Sequence, residues 1–535
     1  MTEETMPVCI VGSGPAAVAA AHALVSQGVE VTMLDVGLDL EPERARLLDD
    51  LAAGTPETWD AATLAKLKAG MLATTGGIPE KLTYGSDFPF RDVGQAGKVE
   101  RRGADALISA ALGGLSNAWG SNLMTYAKHD IDDWCISSEE LAPHYRAVSS
   151  FIPVSGRIDD LAEFFPFHGQ DGVMVHPSQQ AQSLMRTLTS NRAALRAAGM
   201  SAGYSRLAVQ AEPAVDNSHG CVHCGLCLYG CPYRLIYSSR STVQQLRRRS
   251  NFRYLKGVIV KRVIEHSAHV EIDAQSVESG EAVHFSARRV YLACGAVSTT
   301  RILLASMPAA ASPVVMKDSQ FFLFPMLHYD CVPGVMQERL HTLGQVYLEV
   351  MDRALSPRTI QLQVYTYNDL FDAALRDKLK FLHPLAKPFL PSFFGRMSIV
   401  MGYLHSDDSA GLKIGLDRDE GGGTLRIEAI PSDRPAKVID GVMRKLWRNR
   451  SLLRAIPLRP MLEIFKPGKS YHYGCTFPMR EAPGTGESDR WGRPFGFKRV
   501  HVVDASVLPS VAATSIVFTA MANAHRIASG YSAME

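Results

Sequence analysis

The first 35 residues alternate between apolar runs and turn residues in an order that predicts a strand, a helix and a second strand. The apolar run PVCIVG (7–12) ends in a glycine turn, an Ala-rich helical stretch occupies 15–27, and VEVTMLD (29–35) is a second apolar run. Short continuous apolar runs bounded by glycine are typical of buried parallel strands. The pattern therefore predicts a βαβ unit at the start of the chain.

The middle of the chain has a different period. Between 318 and about 430, apolar and polar residues alternate in several short segments, namely QVYLEV, TIQLQVY, SIVMGYLH and TLRIEA. Alternation with period two predicts an antiparallel sheet that has one face covered. The strand VYLAC (290–294), the helix that follows it and the last 35 residues return to the α/β pattern.

These elements predict an α/β protein built from a discontinuous Rossmann-like nucleotide-binding domain and an α+β substrate domain with an antiparallel sheet. We assign 1–45, 92–126, 205–312 and 470–535 to the first domain. We assign 46–91, 127–204 and 313–469 to the second.

Composition narrows the class of protein. The 56 Lys and Arg residues nearly balance the 54 Asp and Glu residues, and 46% of the 535 residues are hydrophobic, which excludes a disordered polyelectrolyte and disfavours a nucleic-acid partner. The N-terminus shows no secretory signal, so we expect a cytoplasmic protein. Since no window of 18 apolar residues occurs, we expect no membrane span.

The first turn contains a dinucleotide-binding fingerprint. Gly12 would form the tight turn, Gly14 would let a pyrophosphate approach the backbone, and Ala17 would allow close packing of helix on strand. Asp35 ends the second strand, where a carboxylate can bind ribose hydroxyls. A structural glycine turn is the alternative, and the motif alone does not distinguish FAD from NAD.

Three further segments carry a resemblance to a known family. LGGLSNAWGSNLMTY (112–126), RVYLACGAVSTTRILLAS (289–306) and HVVDASVLPSVAATS (501–515) occur in the order of the flavin-contacting segments of the glucose–methanol–choline (GMC) oxidoreductases, which the chain resembles over its whole length. The resemblance implies the architecture shared with p-hydroxybenzoate hydroxylase. It also implies bound FAD, with a small-molecule alcohol held against the flavin ring.

The resemblance assigns cofactor contacts along the chain. Gly12, Gly14 and Asp35 would contact the pyrophosphate and the adenosine ribose, and the helix that begins near Ser515 would direct its positive end at the flavin. The remaining contacts would be Val260 at the adenine, Gly114, Ser116 and Trp119 along the flavin, and Asp504 and Ala505 near the pyrophosphate and ribityl chain.

His472 resembles the active-site histidine of the family, and we predict that it is the catalytic base, since a neutral imidazole can take the hydroxyl proton during hydride transfer. Two departures from the family pattern stand out. One residue, rather than two, separates this histidine from Gly474, and the second catalytic position, usually His or Asn, corresponds to Ser515. Serine is a weaker partner for an alkoxide, so Thr514 or Tyr473 are candidates to share its work.

Cys221, Cys224, Cys227 and Cys231 have the C-x2-C-x2-C-x3-C-P spacing of bacterial ferredoxins. The spacing of Cys221, Cys227 and Cys231 also resembles that of the three cluster ligands in iron–sulfur-containing sugar dehydrogenases of the GMC family, and Cys224 is additional. Three interpretations stay open: a 3Fe–4S or 4Fe–4S cluster, a structural Cys-rich turn, and a zinc site. With a cluster, electrons would pass to a protein or quinone acceptor.

An apolar segment with basic neighbours occupies 378–396. It would form a lid, a partner contact, a peripheral membrane contact or simply a packed loop. Its apolar members are Phe381, Leu382, Leu385, Phe389, Leu390, Phe393 and Phe394.

The sequence thus predicts an FAD-dependent dehydrogenase or oxidase that acts on the CH–OH group of a sugar, a sterol or another hydroxylated substrate. The alternatives are a non-redox flavoprotein of the lyase, isomerase or decarboxylase type, and an electron-transfer subunit.

Overall fold

The computed structural model describes residues 5–69, 82–91, 93–94, 97–214, 219–308, 313–380, 383–418 and 423–534. Its strands are β1 (Met6–Val11), β2 (Val31–Asp35), β3 (Val99–Arg102), β4 (Met200–Tyr204), β5 (Phe252–Lys256), β6 (Val258–Glu265), β7 (Val270–Ser276), β8 (Ala282–Leu292), β9 (Val314–Asp318), β10 (Phe321–His328), β11 (Val346–Val350), β12 (Ile360–Tyr365), β13 (Met397–Leu404), β14 (Leu412–Asp417), β15 (Thr424–Ala429), β16 (Ala455–Pro457), β17 (Glu463–Ile464), β18 (Tyr473–Gly474) and β19 (Val500–Val502).

The helices are α1 (Pro15–Ser26), α2 (Pro42–Ala53), α3 (Ala61–Lys68), α4 (Ser138–Ser149), α5 (Gln179–Ser190), α6 (Arg192–Ala197), α7 (Ser239–Leu246), α8 (Ala296–Ser306), α9 (Asp369–Leu379), α10 (His383–Ala386), α11 (Leu390–Phe394), α12 (Arg434–Arg448), α13 (Arg450–Leu453) and α14 (Ile516–Ser529). Within the described residues, every helix is too short or too polar to cross a bilayer.

The first sheet is the nucleotide-binding one. Its strand order is β5-β2-β1-β8-β7-β6, and β19 also pairs with β8. The pairs from β5 to β8, and β8 with β19, are parallel, whereas β6, β7 and β8 form an antiparallel meander. Helix α1 is rich in buried alanine and shares one apolar core with α14, because small side chains let two helices pack closely.

The second sheet has the order β16-β10-β13-β12-β11-β4, with β17 on β10, and its pairs are antiparallel. The predicted mixed α/β architecture, with a Rossmann-like domain and a second domain built on an antiparallel sheet, is confirmed.

The prediction that this antiparallel sheet has one covered face is wrong for its centre. Every residue of β11 and β12 is buried. Aliphatic residues such as Leu348 and Leu362 pack in one apolar core with α5 and α12, and residues of the opposite face, such as Gln361 and Tyr347, meet Asn122 and Met124.

The third sheet joins distant parts of the chain. Its order is β18-β9-β14-β15-β3, and β3 runs parallel to β15. Strands β3 and β18 come from ranges that we predicted for the nucleotide-binding domain, whereas β9, β14 and β15 come from ranges predicted for the substrate domain. The domain boundaries stay a prediction.

Candidate active site

A cavity of about 1060 Å³ lies between the glycine turn after β1 and one face of the second sheet. Except for Ala17 and the alternative candidate Thr514, every residue predicted to contact flavin or to act in catalysis lines this cavity. These residues are Gly12, Gly14, Asp35, Gly114, Ser116, Trp119, Val260, His472, Tyr473, Asp504, Ala505 and Ser515. Ala17 belongs to α1, and its side chain is fully buried in the apolar core.

Gly12 and Gly14 are glycines for different reasons. Gly12 has φ 101°, and a Cβ there would lie 2.5 Å from the Ala293 carbonyl oxygen, so the fold itself requires glycine. Gly14 has an ordinary φ of −66°, and a Cβ there would meet no protein atom within 4 Å. The space above Gly14, beside the uncapped N-terminus of α1, is therefore suited to the close approach of an anionic group such as a pyrophosphate.

Asp35 lies at the end of β2, in the cavity wall. Its Oδ2 accepts hydrogen bonds from Ser13 Oγ at 2.5 Å and from the Tyr254 hydroxyl at 2.9 Å. Burial raises the pKa of Asp35 to about 7, and these two donors partly offset that rise. The carboxyl group is thus fixed in orientation at the place where a ribose would bind.

The segment that carries Gly114, Ser116 and Trp119 folds over the glycine turn. Gly113 and Gly114 have φ of 91° and 57°, and a Cβ on Gly114 would lie 3.6 Å from the Gly14 Cα. Ser116 Oγ donates to the Gly113 carbonyl at 2.6 Å, and Trp119 Nε1 donates to the Tyr237 carbonyl at 2.7 Å. Both polar groups stabilise the segment itself.

Asp504 positions the last flavin segment. Its Oδ2 accepts from the Gly295 amide at 3.0 Å and from Thr299 Oγ1 at 2.5 Å, and its Oδ1 accepts from the Ser506 amide at 2.9 Å. These bonds join the start of α8 to the turn that holds Ala505.

Helix α14 begins just after Ser515, which makes no side-chain capping bond. Ser515, Ile516 and Val517 all line the cavity, so the positive end of the helix macrodipole faces it. Val260 also lies in the wall, in β6, directly before an irregularity in the pairing with β7.

His472 is held by its backbone and by a ring contact. Its amide donates to Ser470 Oγ at 2.9 Å, its carbonyl accepts from the Ser319 amide at 3.0 Å, and its ring stacks on Tyr403 with centroids 5.1 Å apart. In the described part of the chain Nδ1 is enclosed and has no partner, which leaves Nε2 as the nitrogen open to the cavity. Burial lowers the pKa of His472 to about 4, so the imidazole is neutral at pH 7.

The backbone around His472 is unusual at two positions. Tyr471 has φ 58° and Cys475 has φ 65°, so left-handed residues stand on both sides of the histidine.

The Tyr473 hydroxyl donates to the Leu107 carbonyl at 2.7 Å and accepts from the Leu107 amide at 3.1 Å. Thr514 donates at 3.5 Å to the Thr125 carbonyl and is fully buried outside the cavity wall. Neither candidate partner for His472 presents a free hydroxyl to the cavity.

The four cysteines lie on one partly buried loop between two small apolar clusters. Burial raises the pKa of Cys221, Cys224 and Cys231, and the proximity of Cys227 raises each of them further. The thiols are therefore neighbours. Leu228 of the same loop lines the cavity, which brings the cysteine loop against its wall.

Among the described residues, no three of these thiols have sulfur atoms within 4.8 Å of one another. The one group of three or more His, Cys, Asp or Glu side chains that meets this distance is Glu271, Asp273 and His284. Whether the cysteine loop holds an iron–sulfur cluster, binds zinc or is a structural turn stays a prediction.

The segment 378–396 borders the cavity. Phe393 lines the cavity and is partly exposed, Leu385 and Phe389 are exposed, and Leu390 and Phe394 are buried. Phe381 and Leu382 lie outside the described residues. The roles proposed for this segment, including a peripheral membrane contact, stay predictions.

The sequence did not predict the wall that the second sheet contributes to the cavity. Most of this wall is apolar, and its polar members are Gln363, Tyr365, Tyr403 and Glu463. The signal was the Gln/Tyr alternation in TIQLQVY, which is indistinguishable from a solvent-facing pattern. The main apolar side chains of this wall are Phe321, Leu323, Ile399, Met401, Met461 and Phe465.

Solved structures with the same fold include pyridoxine 4-oxidase from Mesorbium loti, with 14% identity, TM-score 0.60 and coverage of 99% of each chain. Formate oxidase from Aspergillus oryzae RIB40 matches with 13% identity and TM-score 0.60, over 99% of this chain and 98% of that one. Identities this low show the fold alone. No curated protein matches the sequence significantly.

Models of the GMC oxidoreductase family match two parts of the sequence, residues 86–318 and residues 462–524. Together these matches span more than half of the chain. They contain His472, Ser515 and the segments 112–126, 289–306 and 501–515, whereas the glycine turn after β1 and Asp35 precede the first match. The chain belongs to the GMC oxidoreductase family.

Proposed function

We propose that the protein is an FAD-dependent oxidoreductase that oxidises the CH–OH group of a hydroxylated small molecule. The observation that carries this proposal is the pairing, in one cavity, of an open backbone approach at Gly14 with a neutral histidine at His472. When bound, FAD would supply the acceptor for a hydride from the carbon that bears the hydroxyl group.

The chain's own residues would prepare that chemistry. His472 Nε2 would accept the hydroxyl proton, because its lowered pKa keeps the ring unprotonated. The N-terminus of α14 would stabilise negative charge on the cofactor side. The apolar wall of the second sheet favours a substrate with a substantial apolar body over a free sugar.

The cysteine loop supports a second part of the proposal, an iron–sulfur centre that receives electrons next and passes them to a protein or quinone. It is supported by the grouping of the four thiols and by the position of Leu228 in the cavity wall. The proposal that the enzyme is a dehydrogenase and not an oxidase depends on this iron–sulfur centre alone. The cytoplasmic location stays a prediction.

Anaerobic mixing of the holoenzyme with a panel of aliphatic, aromatic and sterol alcohols tests the oxidation. We expect at least one apolar alcohol to bleach the flavin band near about 450 nm, and His472→Gln to slow bleaching by roughly 10²–10⁴-fold with FAD content unchanged. Product formation without bleaching would favour a non-redox flavoprotein instead. No reaction with any alcohol would favour an electron-transfer role.

Iron and acid-labile sulfide analysis after anaerobic purification tests the cluster. We expect both elements in the wild-type protein and a strong loss of both in Cys227→Ser. Cys331→Ser, an exposed cysteine outside the loop, is the matched control and should retain them. If the purified protein contains no iron but still oxidises alcohols, the cluster proposal is wrong and the proposed alcohol oxidation is retained.

A further inference from the structure

Four polar side chains form a continuous hydrogen-bonded row on the cavity side of the second sheet. The Tyr365 hydroxyl donates to Gln363 Oε1 at 3.4 Å, Gln363 Nε2 donates to Gln361 Oε1 at 2.8 Å, and Gln361 Nε2 donates to Glu349 Oε1 at 2.8 Å. We call these four residues the β12 row. Every donor in the row points the same way, toward the carboxyl group of Glu349.

The β12 row is enclosed by protein except at one end. Glu349 and Gln361, which pair across β11 and β12, are fully buried, whereas Gln363 and Tyr365 reach the cavity wall. Burying polar groups is costly unless they are hydrogen-bonded, so an extended buried row of this kind indicates a positional role at its open end.

The β12 row fixes the orientation of the Gln363 side-chain amide. One N–H of its amide group donates to Gln361, and this bond orients the amide so that Oε1 faces Tyr365 and accepts from its hydroxyl. Their separation of 3.4 Å is long for an O–H···O bond, which is ordinarily about 2.7–2.8 Å. The Tyr365 proton is therefore weakly held and can be redirected to a better acceptor in the cavity.

The Tyr365 hydroxyl also has room to act. Gly120 and Gly344 stand on either side, and a Cβ on each would lie 3.6 Å from the hydroxyl oxygen. Gly120 directly follows Trp119, so the hydroxyl reaches from the second sheet to the flavin-side segment. Tyr365 lies on the same face of the second sheet as Tyr403, because Tyr403 pairs with Gln361 and Tyr365 pairs with Ile399 across β12 and β13. Tyr365, Tyr403 and His472 all line the cavity, and Tyr403 stacks on His472.

We propose that Tyr365 is the second catalytic residue: its hydroxyl donates a hydrogen bond to the oxygen of the substrate hydroxyl group while that group donates to His472. Gln363, Gln361 and Glu349 are positioning residues that orient Tyr365. This assignment rests on the proposed function, and it gives Tyr365 the work for which Ser515 is a weak candidate. No bond is made or broken at Tyr365, which stabilises the oxygen as its proton leaves for His472.

Binding of benzyl alcohol and toluene to the holoenzyme, measured by titration calorimetry, tests the assignment without requiring turnover. The two probes share one apolar body and differ in the hydroxyl group. In Tyr365→Phe we expect benzyl alcohol to bind roughly threefold to tenfold more weakly, as for one lost hydrogen bond, and toluene affinity to stay unchanged.

Tyr347→Phe is the matched control, because that hydroxyl is fully buried on the same sheet and has no hydrogen-bond partner among the described residues. Equal loss of both probes in Tyr365→Phe, an unchanged benzyl alcohol affinity, selective loss in Tyr403→Phe instead, or no binding of benzyl alcohol to the wild type would each overturn the assignment. Tyr365-dependent binding in a protein that no alcohol bleaches would instead refute the oxidation while the hydroxyl contact stands.

Discussion

The imidazole of His472 is neutral at pH 7 because the side chain is buried. Its Nδ1 has no partner in the described part of the chain, and burial alone lowers its pKa. Among the described residues, no carboxylate contributes to the pKa of His472, so nothing there favours the charged imidazolium. A histidine of this kind is a base across the neutral range, and it gains nothing from a further rise in pH.

The pH dependence of flavin reduction should reflect this. Since the neutral form accepts the proton, and the pKa of His472 is about 4, the rate constant should be flat from about pH 6 to pH 9 and fall to half near pH 4. An unperturbed histidine would give half the rate near about pH 6.5. Anaerobic stopped-flow reduction at saturating alcohol measures the profile, and an acid limb near neutrality would contradict the enclosure argument.

At the scale of single elements, the turn between β1 and α1 separates what the fold needs from what a ligand needs. Gly12 is required by the protein, because a side chain there would collide with Ala293. Gly14 is required by nothing in the described structure.

Two alanine variants make this difference measurable. Gly14→Ala should keep the unfolding free energy of the apoprotein within about 0.5 kcal/mol, as for a change that touches no neighbour, yet lose most of its FAD affinity. Gly12→Ala should destabilise the apoprotein itself by more than about 1 kcal/mol. Chemical denaturation and FAD titration of both apoproteins provide the data. Full FAD affinity in Gly14→Ala would show that no phosphate approaches this residue.

The elements that could be predicted from the sequence are those with local signals. The helix predicted after the strand VYLAC is α8, and the strand, turn and helix predicted at the N-terminus are β1, the glycine turn and α1. Apolar runs and glycine mark the ends of these elements in the sequence. The pairing of β3 with β15 joins residues more than 300 positions apart, and no local pattern encodes such a register.

The β12 row was hidden for a related reason. Alternating Gln and Tyr residues describe a strand with one polar face, and the sequence does not say whether that face meets water or another part of the chain. His472 and the flavin segments were found because motifs identify them. Tyr365 belongs to no motif, so only its surroundings in the folded chain reveal it.

At the scale of the whole molecule, the cavity is a shared boundary. The first sheet supplies its glycine turn, the second sheet its apolar wall, and the third sheet holds β18 beside His472. A ligand that fills the cavity touches all three parts at once.

FAD should therefore act as a structural component of the entire chain. At free FAD concentrations 100 times the dissociation constant, binding should stabilise the native state by about 2.7 kcal/mol. Differential scanning calorimetry should show a melting temperature that rises with FAD concentration, with the parts unfolding in one transition. A second transition that FAD leaves unmoved would show that one part folds independently of the site.

Through Leu228 the cysteine loop also forms part of the cavity wall, and this limits how the loop can be redesigned. Deleting the loop from Cys221 to Cys231 would be one way to try to change the electron acceptor of the protein. Leu228 lies between two of its thiols and forms part of the cavity wall. Excision would open that wall to water. If the loop carries the proposed cluster, its removal would therefore change the substrate cavity together with the electron acceptor. Replacing the thiols singly, with the loop left in place, would keep the cavity closed.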